Sequence, residues 1–156
     1  MHPALQESLE YLFEGYCSSS GTGIFSLAEI AIKHKIQGTE LGSALNNQGW
    51  IKNPNFGPFG FRCQISRLGI HQIHPEYFDD LISEALTAAG LTSDWIGLIE
   101  TVADFEPKDY QRAHDLGKEF EESGLAEIQY QAQEVYIKLT LQGIERYRTE
   151  NEGSFF

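Results

Sequence analysis

The feature that most constrains this chain is that it repeats itself. Leu41-Gly42, six further residues and then Gly49 recur as Leu116-Gly117, six residues and Gly124, at an offset of 75. The run Ile65-Ser66-Arg67-Leu68-Gly69-Ile70 recurs as Leu139-Thr140-Leu141-Gln142-Gly143-Ile144, at an offset of 74. Glycine after a helix and serine or threonine before one are common punctuation, so one match alone carries little. Two matches in the same order and register argue for a duplicated unit, with one residue lost in the interval between them.

The first copy is most legible between Gln37 and Ile51. Leu41, Ala44 and Leu45 fall at i, i+3 and i+4, which gives a helix one apolar stripe, and Gly49 stands where that helix stops. Its outward face is left with Thr39, Glu40, Ser43, Asn46, Asn47 and Gln48. Asn53 to Gly60 is too rich in Pro, Gly and Asn to continue an element, so it is expected to be the loop of a hairpin from Trp50–Lys52 to Phe61–Ile65. Ser66 restarts a helix. Upstream, Pro3 suits a first helical turn, and Leu5, Leu9, Leu12, Phe13 and Tyr16 recur at helical spacing. Cys17 to Gly23 breaks that helix. Ser26, with Glu29 three residues on, is expected to cap a second helix whose inner face is Leu27, Ile30, Ala31 and His34.

The second copy follows the same plan. Tyr77, Phe78, Leu81, Ile82, Ala85, Leu86 and Ala89 give an amphipathic helix that Gly90 ends. Ser93 or Asp94 is expected to cap the next one, with Trp95, Leu98, Ile99 and Val102 inward. Pro107 opens a third, burying Ala113, Leu116, Gly117 and Phe120. A hairpin from Ala126–Tyr130 to Glu134–Leu139 closes the unit, its second strand alternating Val135, Ile137 and Leu139 with Tyr136 and Lys138.

Helix, helix, turn, helix, hairpin resembles a winged-helix domain, and the chain is similar to a tandem of two. The resemblance implies an α+β fold, mostly α, of two units with three helices and a β-hairpin wing each, over residues 1–74 and 75–150. No flexible linker separates His71 from Pro75, so the units are expected to be packed together. The tail, residues 151–156, lacks periodicity and is expected to be disordered.

Charge constrains function most. The chain carries 11 basic and 23 acidic residues, net −12. Residues 1–74 hold five of each sign, which leaves six basic against eighteen acidic residues in the second half. DNA affinity comes mainly from Lys and Arg on phosphates, and an acidic surface repels that polyanion. The second unit is therefore a poor DNA reader, its third helix expected to expose Asp109, Asp115, Glu119, Glu121 and Glu122 against Lys108, Arg112 and Lys118. The first is more permissive: Thr39, Ser43, Asn46, Asn47 and Gln48 are polar groups suited to base edges, and Lys33, Lys35, Lys52 and Arg62 suit the backbone. Its helix nonetheless carries no Arg or Lys.

The reaction motifs that bind phosphates, hydrolytic zinc or an acyl intermediate are missing. His71-x-x-His74 before Glu76 and Asp79 offers metal-type ligands, but Pro75 interrupts the helix that would align them, so no metal and no cofactor is expected. Cys17 and Cys63 form no CxxC and are expected to be reduced. No apolar run approaches a membrane span of roughly 20 residues, and no signal peptide is evident, so the expected compartment is the cytoplasm. What remains is a non-enzymatic interaction module. Its expected partner is a protein with a basic or apolar surface, or a second copy, with Phe56, Phe59 and Phe61 and the acidic Glu119, Glu121 and Glu122 as contact residues. The alternative is a transcriptional regulator that reads DNA through the first unit alone.

Overall fold

A computed structural model describes residues 1–57, 60–90, 92 and 94–151. The chain is α+β and divides into two compact units, Met1–Pro75 and Glu76–Phe156. Phe59, Ser93 and residues 152–156 of the tail lie outside the described residues. Among those described, no helix is long and apolar enough to cross a membrane.

Unit 1 runs α1 (Pro3–Ser18), β1 (Phe25–Ser26), α2 (Ala28–Lys33), α3 (Gly38–Asn47), β2 (Ile51–Gly57), β3 (Gly60–Ile65) and α4 (Arg67–Ile73), with sheet order β1-β3-β2. Pro3 opens α1, and the ring nitrogen Nδ1 of His2 accepts the Ala4 N–H at 3.0 Å. Leu9, Leu12 and Tyr16 from α1, Leu27, Ile30 and Ala31 beside and within α2, and Leu41 and Leu45 from α3 are buried against Ile51, Phe61, Cys63 and Ile65 of the sheet. The apolar stripes read from helical spacing thus make one core.

Unit 2 repeats the order as α5 (Glu76–Ala89), β4 (Ile96–Gly97), α6 (Leu98–Thr101), a 3₁₀ turn (Pro107–Asp109), α7 (Tyr110–Ser123), β5 (Ala126–Tyr130), β6 (Val135–Leu139) and α8 (Leu141–Asn151), with sheet order β4-β6-β5. β1 pairs Phe25 with Cys63 and Ser26 with Arg62, while β4 pairs Ile96 with Ile137 and Gly97 with Tyr136. The central-strand partners are 74 residues apart, the offset already seen in the sequence.

The matched residues form the same latch in each unit. Gly49 and Gly124 sit at φ +74° and +73°, a left-handed conformation that glycine adopts without strain. The Ser66 hydroxyl donates to the Gly49 carbonyl at 2.6 Å and accepts the Gly69 N–H at 3.0 Å. Thr140 does the same with Gly124 and Gly143, at 2.7 and 3.2 Å. One hydroxyl therefore caps α4 or α8 and ties it to the end of α3 or α7.

Several expectations are corrected. Ser26 lies in β1, and α2 starts at Ala28 with Leu27 at its cap, although the Ser26 hydroxyl accepts the Ala28 N–H at 3.2 Å. Asp94 does not cap α6. Glu134, from the hairpin turn, receives the Ile99 and Glu100 N–H groups at 2.8 and 3.1 Å, a carboxylate on a helix N-terminus supplied by a distant part of the chain. Trp95 precedes β4 and is 36% exposed, so only Leu98 and Val102 of that quartet are fully buried. Asn151 closes α8 and does not begin the tail.

The first hairpin has less loop than expected, because Asn53 to Gly57 belong to β2. Its register slips between Lys52 and Asn55, where Asn53 adopts φ +52°, whereas β5 and β6 stay in register from Ala126–Leu139 to Tyr130–Val135. The residue that separates the offsets of 75 and 74 is thus a β-bulge. Pro54 falls within this slip on an edge strand, the two settings in a sheet where proline is tolerated.

Cys63, on the central strand, is fully buried, and burial pushes its thiol up to about 12. In a Cys17→Ser variant, alkylation of Cys63 by iodoacetamide is expected to follow the opening rate of unit 1, since the thiolate is the nucleophile. Labelling at the rate of a free thiol in native buffer would contradict this.

Candidate functional site

The outward face of α3 is built as the sequence implies: Thr39, Glu40, Ser43, Asn46, Asn47 and Gln48 are all exposed, because Leu41 and Leu45 on the opposite stripe are buried. α3 lies close to the sheet because Gly42 carries no side chain. A Cβ there would meet the Phe61 ring at 2.6 Å.

Phe61 is accordingly core, 2% exposed, and not the contact residue expected of it. Phe56 is 54% exposed beside it, with ring centroids 4.6 Å apart, so of the described aromatics in this hairpin only Phe56 faces outward. Arg62 is exposed and Lys52 half-buried on the hairpin, and Lys35 is exposed at φ +57° in the turn before α3. Lys33 is committed elsewhere, its ammonium 2.8 Å from Glu7 of α1.

The equivalent face of α7 differs in chemistry. At the offset of 75, Ser43, Asn46 and Asn47 become Lys118, Glu121 and Glu122. Lys118 is 3.7 Å from the Glu121 carboxylate and lies over the Tyr130 ring at 4.9 Å, while the Tyr130 hydroxyl donates to Glu121 at 2.8 Å. The basic group on this face is held by the unit's own acid and aromatic. Glu121 and Glu122 are exposed.

Glu119 is a correction, being buried, as are Asp109, Arg112 and Asp115, which charge alone placed on the surface. Arg112 explains why charge can lie inside. It sits 3.6 Å from Asp109, donates to the Tyr77 hydroxyl from Nε at 3.2 Å and from the terminal nitrogen at 2.8 Å, and covers the Phe105 ring at 5.1 Å. A buried charge supplied with a counter-charge and hydrogen bonds is tolerated, and periodicity read as exposure cannot foresee it.

His34, His74 and His114 each contact side chains of their own unit. His74 meets Glu10 at 2.9 Å and lies against the Phe13 ring at 4.6 Å, and His34 meets Glu7 at 3.1 Å. The His114 ring packs at 4.5 Å from that of Tyr130. Among the described residues no group of three or more His, Cys, Asp or Glu is placed to hold a metal ion.

No family model, curated protein or solved structure matches the chain.

Proposed function

We propose that each unit is a winged-helix domain and that the pair acts as a non-enzymatic adaptor for a protein partner with a basic or apolar surface. The element order and sheet order shared by both units support the fold, with α3 and α7 as the helices that a DNA-binding relative would place in the groove. The observation that carries the function is what those helices present. α7 offers Glu121 and Glu122 where α3 offers amides, and its Lys118 is already paired. Carboxylates at that position repel a phosphate backbone and attract a basic protein.

The competing reading is DNA recognition through unit 1, favoured by the exposed Asn46, Asn47 and Gln48 together with the basic Lys52 and Arg62 of the hairpin. Titration of the full-length chain with random-sequence duplex DNA separates the two. The adaptor is expected to bind weakly even at low salt, and at physiological salt no more tightly than about 10 μM, within or beyond the non-specific range. Sub-micromolar affinity at physiological salt, lost on Asn46→Ala and Arg62→Ala, would replace the adaptor with a regulator.

A further inference from the structure

We infer that the groove between α1 and α2 of unit 1 seats an arginine-bearing segment of the partner protein. This rests on the adaptor reading and gives it a location away from the α3 face. The groove holds about 810 Å³. Glu7, Glu10, Tyr11 and Glu14 line one wall, at i, i+3, i+4 and i+7 of α1 and hence on one face, with Glu7 and Glu14 two turns or roughly 10 Å apart. Ser26, Ala28, Ile30 and Lys33 complete the lining, the Lys33 ammonium being held by Glu7 at 2.8 Å, and Glu29 adds a carboxylate from α2.

Two features select the occupant. Tyr11 is 42% exposed, and its ring is held edge to face against Phe25 at 6.0 Å. Phe25 is itself wedged over Gly15 and Gly23, at either of which a Cβ would run into its ring. An aromatic ring so fixed is a ready surface for a flat cation. Charge complements it. Glu7 is engaged by Lys33 and His34, and Glu10 by His74, whereas Glu14 and Glu29 are exposed and meet no cation among the described residues. A guanidinium can stack on Tyr11 and bridge to a carboxylate with its forked donors, which an ammonium cannot do equally well, so arginine is favoured over lysine.

A synthetic helical peptide with arginines three and four residues apart on a leucine and alanine background serves as the probe, added to the full-length protein at physiological salt. Amide chemical shifts are expected to move on α1 and α2. Glu14→Gln and Glu29→Gln should each weaken binding about two- to fivefold, and Tyr11→Ala by a similar factor, as for exposed ion pairs and cation–aromatic contacts. A lysine-for-arginine peptide should also bind less well. The glutamine variants lie at exposed positions and carry the test even where Tyr11→Ala disturbs unit 1. Shifts centred on Glu121 and Glu122, unchanged affinity in both glutamine variants, or no binding would each overturn the groove while leaving the adaptor reading standing. Tight binding of duplex DNA is what defeats the adaptor itself.

Discussion

Alanine at Gly69 or at Gly143 is expected to destabilise the unit that carries it by about 3 kcal/mol, the upper part of the usual range for overpacking. Helix propensity alone predicts the opposite sign, a gain of about 1 kcal/mol for Gly→Ala inside a helix. Sterics decide. A Cβ on Gly69 would overlap the Trp50 carbonyl oxygen, and one on Gly143 would overlap that of Leu125. Neither carbonyl can retreat without loss, because Trp50 O accepts the Ser66 N–H at 3.0 Å and Leu125 O the Thr140 N–H at 3.1 Å. Urea unfolding of the full chain, read by amide exchange in each unit, should show the loss confined to the mutated one. Equal or greater stability in either variant would mean that α4 or α8 can lift off its strand without cost.

Phe61→Ala is expected to cost unit 1 about 3–5 kcal/mol, as for other buried aromatic truncations. A domain of this size has little more than that to lose. Phe56→Ser, at a ring already 54% exposed, should cost less than about 1 kcal/mol. The two phenylalanines are cross-strand partners, so their difference tests burial with local sequence nearly constant. Gly42→Ala should be harmful alone, because its Cβ would lie 2.6 Å from the Phe61 ring, and much less so once that ring is gone. This is the non-additivity expected of residues in contact. Additive costs in a double-mutant cycle would show that Gly42 and Phe61 are not the packing pair described.

The helix faces and hairpins were legible because burial imposes a period on side chains. Leu41 and Leu45, or Val135 and Ile137, are inside because their spacing keeps them on one side. β1 and β4 were not legible, since two residues cannot display a period and each exists only through pairing with the central strand. Glu134 was missed for a related reason: its role as a cap depends on the hairpin turn reaching α6, 35 residues earlier. At the surfaces, polar type correctly placed Asn46, Asn47, Glu121 and Glu122 outside. It failed for Glu119, which is buried, for Arg112, whose charge is compensated within the unit, and for Phe61, where an aromatic next to a Pro/Gly-rich stretch looked like a surface residue.

The bulge in β2 bears on aggregation. A bare sheet edge is a template for another chain, and edges are commonly blunted by bulges, prolines and charge. β2 has a register slip, a left-handed Asn53 and Pro54 in its exposed stretch, and one charged residue, Lys52. β5, the corresponding edge of the second sheet, is in unbroken register and free of proline, with Glu127 and Gln129 exposed along it. The half of the chain whose edge strand lacks a bulge and a proline is also the half that carries the entire acidic surplus. Whatever it attracts, a surplus of that size repels like copies, and it is expected to do for the second sheet by repulsion what a single inserted residue does for the first by shape.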